Sequence, residues 1–376
     1  MSMRMFLAEL KKLLLLFRAD PKSIGAGIMP PTIILLAFFI TVGNFSSIEI
    51  SIINNDIGAY GEILEESILS EKSPLGDKAY FEEVELSLEE AEEKFSTEEL
   101  YAYIVIPEDF SQVLQNGGTP DVEYYFNNYN TDVAKNLRLY LSEGVLKFYK
   151  TTDDGIKIEV AEAMNVDKQL PWFDIIASGV FMLSFLLGVV INTLYLLSME
   201  RRNGTIQNYQ LAPNNVFPSI AARAVVALLS GTIASTVNGV IIYFLTGKNY
   251  LPYVLEILPA LIIVGLTYIC FAIVIGLYVD SFAGSIVTSL IGTALIWFLS
   301  GATFSIKNNT GILRAVCEWI PNTYALSHIR GTIFGMDPSI GSISYAAGWG
   351  IMSIYLMAAL SLAFYAYYRK LVRCYK

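Results

Sequence analysis

The sequence predicts an α-helical integral membrane protein: six transmembrane helices, an N-terminal interfacial amphipathic helix, and an inserted α/β extracytoplasmic domain. Three observations predict it. Of 376 residues, 54% are hydrophobic and only 16% charged, with a mean hydropathy of +0.50, whereas soluble domains carry about 25% charged residues. Six stretches reach the roughly 20 mostly apolar residues that cross a bilayer. Charge is also split: residues 47–170 hold 27 Asp and Glu against 9 Lys and Arg, a net of −18, and the rest hold 8 acids and 16 bases.

Residues 1–22 read as the interfacial helix. Phe6, Leu10, Leu13, Leu14 and Phe17 fall on one face, and Arg4, Lys11 and Arg18 form a separate stripe at a seven-residue spacing. Such a helix lies flat in the inner headgroup region; the alternative is a helix packed on a partner. It is no cleavable signal peptide, because bases interrupt its apolar run and a true span follows. Pro21 is placed to stop it, and Pro30 with Pro31 to bend the first span near its start. That span covers residues 27–46, within a segment 23–47.

Residues 48–171 read as the inserted domain. Residues 49–54 form a strand ending in the turn Asn54-Asn55-Asp56-Ile57-Gly58, followed by a helix over 60–69. Strands over 82–86, 101–106 and 122–127 alternate with helices over 88–95 and 133–150, and Pro107 stops the third strand. Alternation of this kind predicts a small α/β domain. Its acidity excludes nucleic acid as a partner and suits a solvated surface. Glu89, Glu90, Glu92 and Glu93 sit along one helix rather than across a cleft, and no nucleophile elbow or metal-ligand spacing occurs. Cys270, Cys317 and Cys374 are scattered, and His328 is the sole histidine.

Residues 172–371 read as a five-span membrane domain, with spans at 173–199, 217–245, 255–279, 282–304 and 344–367, and 372–376 as a tail. Aromatic residues gather near the span ends, as interfacial belts do. Arg4, Lys11, Lys12, Arg18, Lys22, Arg201, Arg202, Arg223, Arg369, Lys370, Arg373 and Lys376 fall on one side of a six-span arrangement. Only Lys248, Lys307, Arg314 and Arg330 fall in the opposite short connections. The positive-inside tendency puts both termini and residues 199–213 on the cytoplasmic side of the cell membrane, and the acidic domain outside.

The order of basic helix, one span, external α/β insert and five spans resembles the membrane (permease) subunits of ABC transporters of the type 2 export family, in the branch with a large domain after the first span. Three segments carry the resemblance. Residues 50–58 with 96–111, STEELYAYIVIPEDFS, are similar to a strand ending in Asn-x-Asp followed by a strand running into Ile-Pro-x-x-Phe. Residues 199–213, MERRNGTIQNYQLAP, match the segment after the second span at Glu200, Arg201, Arg202, Gly204, Thr205 and Pro213, although the family's Leu-Leu pair is weakened to Tyr209-Gln210-Leu211. Residues 319–330, WIPNTYALSHIR, match a Pro-x-x-Tyr-Ala-x-x-x-x-Arg segment at Pro321, Tyr324, Ala325 and Arg330.

The resemblance implies that residues 199–213 form a cytoplasmic coupling helix docked on an ABC ATP-binding subunit. It implies that residues 309–335 form a re-entrant gate segment, and that a second permease subunit, identical or similar, completes the pathway. Leu313, Val316, Ile320 and Tyr324 repeat at helical spacing, which suits a dip into the outer interface of the lipid membrane. The chain has no phosphate-binding loop, since Gly247-Lys248 leads into Asn249. It is expected to need no cofactor and to be no enzyme, with ATP bound by the partner. Asn192 and Asn238 are polar residues inside spans, where such groups mark pathways or make interhelical hydrogen bonds. No span centre carries a charge, so the expected cargo is hydrophobic or amphipathic (lipid, peptide or drug), with Na+ also found among relatives. A secondary transporter would show internal repeats or buried charges. A membrane-anchored receptor or surface-assembly protein, binding through the acidic domain, would tolerate replacement of Glu200 and Gly204. In an exporter those replacements uncouple transport while leaving folding and insertion intact.

Overall fold

The computed structural model describes residues 3–19, 22–40, 47–73, 78–97, 99–126, 131–152, 172–204, 217–303, 306, 311–336, 338–340 and 343–372. Two compact units form: Met1–Gly43 with Trp172–Lys376, and Asn44–Pro171. The chain opens with α1 (Met3–Ala19) and α2 (Lys22–Phe38) of the first unit. On α1, Leu13 and Phe17 are buried against Leu196, Ala222 and Val226, with Phe6 and Leu10 packed alongside. Most of the apolar face read from sequence therefore docks on the chain's own bundle. Leu14 departs from it and stays exposed with Leu7 and Leu15.

The second unit runs β1 (Ile48–Asn54), α3 (Ala59–Leu69), β2 (Phe81–Glu83), α4 (Leu88–Ser96), β3 (Ala102–Ile106), α5 (Phe110–Gln115), β4 (Glu123–Phe126) and α6 (Thr131–Thr152). The sheet order is β2-β1-β3-β4, with β1 parallel to both neighbours and β4 antiparallel to β3. The pleat sorts side chains by parity. Ile50, Ile52, Ala102, Ile104 and Ile106 join Leu64, Ile68, Leu137, Leu141 and Phe148 in one core. Ile53, Tyr103 and Val105 turn to the other face and pack with Ala91 and Phe95. Burial of each large apolar side chain contributes about 1.5–3 kcal/mol, so two helical layers on one sheet suffice for a core.

Sequence and structure differ at two places in this unit. Strand β2 stops at Glu83 because the chain leaves for α4, whose Ser87 forms a capping box with Glu90. Helix α5 is too short for its period to be read, and it begins three residues after Pro107. The turn after β1 is tied to it: Asp56 accepts hydrogen bonds from the Ser111 amide, the Ser111 hydroxyl and the Gly61 amide, and the Ser111 hydroxyl accepts from the Tyr60 amide. The two halves of the first family-like segment thus meet at one corner.

The first unit resumes with α7 (Trp172–Arg202), α8 (Phe217–Thr246), α9 (Val254–Tyr278), α10 (Phe282–Leu299), α11 (Gly311–Trp319), α12 (Pro321–Phe334) and α13 (Tyr345–Tyr367). Among the described residues, five helices are long and apolar enough to cross a membrane, or six if α1 and α2 count as one broken span. Helix α7 is the hub, buried along nearly its whole length, whereas α10 and α13 keep broad apolar faces exposed.

Glycine sets the closest crossings. A Cβ on Gly27 would lie 2.6 Å from the Gly188 Cα, and one on Gly188 would lie 2.9 Å from the Gly231 Cα. Helices α2, α7 and α8 thus touch backbone to backbone, the mode that small residues permit in membranes. Pro30 and Pro31 sit in the middle of α2 rather than near its start. Proline removes the bond to the carbonyl four residues back, and the Gly27 carbonyl that Pro31 leaves free accepts from the Ser184 hydroxyl at 3.3 Å. A neighbouring span thereby satisfies a group that lipid would leave unpaired.

Candidate functional site

The polar groups of the helical unit collect in three places. The first is the end of α7. Glu200 is buried there, 2% exposed, and forms an ion pair with Arg223 on α8, itself 1% exposed. Lys12 on α1 is its second partner at 3.0 Å, and Lys12 also pairs with Glu9 at 2.7 Å. Arg201 reaches sideways to the end of α9, donating to the Leu277 carbonyl at 3.0 Å and the Val279 carbonyl at 3.5 Å. The last carbonyls of a helix lack intrahelical partners and carry its negative dipole end, so a guanidinium is well matched.

Residues 199–202 thus continue the span helix, and Gly204 ends it. Its φ of +68 is left-handed, and its amide bonds to the Arg201 carbonyl at 3.1 Å. Glycine adopts that conformation without steric cost, which explains the Gly of the Gly-Thr pair. Arg202 is exposed beside it. Thr205 and Pro213 lie outside the described residues.

The second place is built by α12. Ile320 is extended ahead of Pro321, as a residue before proline must be, so α11 and α12 are two helices. This corrects the single amphipathic face expected from Leu313, Val316, Ile320 and Tyr324. Leu313 and Val316 are exposed on α11, while Tyr324 is buried on α12 and donates its hydroxyl to the Glu318 carbonyl. Arg330 spreads its guanidinium over four acceptors. These are the Ile175 carbonyl at 2.9 Å, the Ser178 hydroxyl at 3.0 Å, and the Gly301 and Ala302 carbonyls at 3.0 Å each. It ties the start of α7 to the end of α10. The His328 Nε2 lies 3.0 Å from the Glu256 carbonyl, which only accepts, so that nitrogen donates, and Nδ1 lies 2.9 Å from the Tyr345 hydroxyl.

The third place lies between α2, α7 and α8. Asn238 is fully buried. Its amide donates to the Ser184 hydroxyl at 2.8 Å, and its carbonyl lies 3.0 Å from the Thr32 hydroxyl. With Ser184 bonded onward to Gly27, this is an interhelical relay. Asn192 is fully buried on α7. Among the described residues no group of three or more His, Cys, Asp or Glu could hold a metal ion.

Sequence reasoning did not foresee the partners in these clusters: Lys12 and Arg223 for Glu200, Ser178 for Arg330, and Thr32 and Ser184 for Asn238. One signal was available for the first. Outside residues 47–170 the chain has only 8 acids, so an acid flanked by apolar helix must find a cation.

A bundle of long apolar helices, pinned at its ends by arginines that bond helix carbonyls, defines a multi-pass membrane protein. The chain belongs to the ABC-2 transporters: the family model described as "ABC-2 family transporter protein" matches residues 26–366. It is the membrane subunit of an ABC transporter, itself not catalytic, and its partner is an ATP-binding subunit. A search of curated proteins and a search of solved structures each found no match.

Proposed function

We propose that the chain couples ATP hydrolysis in its partner to export of a hydrophobic or amphipathic substrate, through residues 199–213. The observation that supports this reading most directly is the bracing of the α7 end. Glu200, Arg223, Lys12 and Arg201 join α7 to α1, α8 and α9. A push delivered just beyond Gly204 therefore acts on four helices together rather than on a loose loop. The partner-facing side falls to Arg202, Gly204, Thr205 and Pro213, while Glu200 and Arg201 hold the base.

In this reading both termini are cytoplasmic, the α/β unit lies outside the cell membrane, and two permease subunits build the pathway. Residues 309–335, with Pro321 starting α12 and Arg330 anchoring it, form the outer gate. The mostly uncharged spans suit lipid, peptide or drug cargo.

Glu200 is a poor probe of coupling alone, because its replacement also breaks a buried ion pair. Gly204→Val is the cleaner perturbation: no atom lies within 4 Å of a Cβ placed there, and only the positive φ is strained, at about 1–2 kcal/mol. The test is a gentle-detergent pull-down of the tagged chain, with mass spectrometry and an ATPase assay on the eluate. A nucleotide-binding subunit that is recovered with the parent and lost or decoupled in Gly204→Val, with thermal unfolding lowered by no more than that backbone strain, is the expected result. Unaltered recovery and ATPase activity in the variant would remove residues 199–213 from the coupling role.

A further inference from the structure

The α/β unit contains a cavity of about 310 Å³ that coupling does not use. Its floor is the unit's own core, including Leu64, Ile104, Phe110 and Phe148. Its mouth is ringed by Tyr124, Val145 and Tyr149, which are 51%, 38% and 37% exposed. Apolar side chains therefore line a continuous path from solvent to core, on a surface that is otherwise strongly acidic.

Two polar residues of α6, Arg138 and Ser142, line the same cavity. They are four apart and so share one helix face. The Arg138 guanidinium lies over the Phe126 ring at 4.5 Å, which holds it beside the cavity. Among the described residues it forms no ion pair. An arginine at an apolar mouth, with no carboxylate against it among the described residues, offers its charge to something outside the chain.

We propose that this cavity binds a small amphiphile: a single apolar chain seated among Leu64, Ile104, Phe110 and Phe148, with one anionic head group held by the Arg138 guanidinium, since the Ser142 hydroxyl already donates to the Arg138 carbonyl at 2.8 Å. At about 30 Å³ per heavy atom, the share of a water molecule in the liquid, the volume accommodates about ten heavy atoms. That suits one short apolar chain. The volume lies at the small end of the ligand-site range of about 300–1,000 Å³. The site does not depend on the coupling reading and can fail or stand separately from it.

The test uses the intact chain in a detergent-free amphipathic polymer, titrated with octanoate and with 1-octanol by saturation-transfer NMR. Octanoate is expected to bind saturably, and Arg138→Gln to weaken it about tenfold, the loss of one charge-assisted contact, while leaving octanol within about twofold. Val145→Trp, which fills the mouth, is expected to abolish both at an unchanged unfolding midpoint; should it fail to fold, Ser142→Trp replaces it. Octanoate binding that ignores the filling variant, or no saturable binding by the parent, would overturn the cavity as a site. Equal loss of both probes in Arg138→Gln would overturn the head-group assignment.

Discussion

Replacing Glu200 by leucine isolates the energetics of the α7 end. Glu200 and Arg223 are 2% and 1% exposed, so water screens neither charge. A buried ion pair adds little over a well-packed apolar pair, yet breaking it strands a charge and costs about 3–5 kcal/mol. Glu200→Leu takes from Arg223 its buried carboxylate partner. Arg223→Leu is milder, because Glu200 keeps Lys12 at 3.0 Å; the loss of one charged hydrogen bond costs about 1.5–3 kcal/mol. Removing both charges should cost less than the two single losses together, with a coupling energy of about 3 kcal/mol, the upper end for contacting residues. Unfolding by SDS titration in mixed micelles, followed by the fluorescence of the four tryptophans, measures all three variants. Additive losses, or a Glu200→Leu variant within about 1 kcal/mol of the parent, would refute a buried pair at this position.

Three further outcomes follow from the geometry. Arg330→Lys keeps the charge but loses the planar fork over four acceptors; leaving one or two buried carbonyls unpaired costs about 1–3 kcal/mol each, read as a lowered unfolding midpoint. Asn238→Ala removes the α2–α7–α8 relay, which is worth about 0.6–2 kcal/mol in a membrane; a stability loss with unchanged transport selectivity would fit the relay, and altered selectivity at unchanged stability would place Asn238 on the pathway instead. In the α/β unit, burial pushes the Asp56 carboxyl up, but hydrogen bonds from the Ser111 side chain and amide and from the Gly61 and Gly58 amides outweigh it and hold the carboxyl below its ordinary 3.8. A lowered folded value means that its contribution is complete above that ordinary value and is lost as pH falls through the lowered one. Asp56→Asn should therefore flatten the acid limb of stability, measured by hydrogen exchange over residues 48–111 against pH.

The sequence by itself determined where the last five spans fall and how the inserted unit is layered, whereas α2, expected to span alone over 27–46, is long enough to cross only together with α1. Cost of burial in lipid is a sum over neighbouring residues, so a window of composition finds α7, α8, α9, α10 and α13 within a few positions. Alternation along β1 and β3 likewise reports which side chains face α3 and α6. One local stop signal was read as such, Pro107 after β3, while Gly204 after α7 and Pro321 at the head of α12 gained that role from the structure. Pro321 split one apparent amphipathic helix into α11 and α12. Only the tertiary structure decided the pairings: Glu200 with Arg223 and Lys12, Arg330 with the ends of two other helices, Asp56 with Ser111, and Gly27 against Gly188 against Gly231. Each joins residues that no local period relates. A hydrogen bond needs its partner within about 3 Å at the right angle, and that geometry exists only after the helices have packed. Local burial fixes the segments, and close contact between distant segments fixes how they work together.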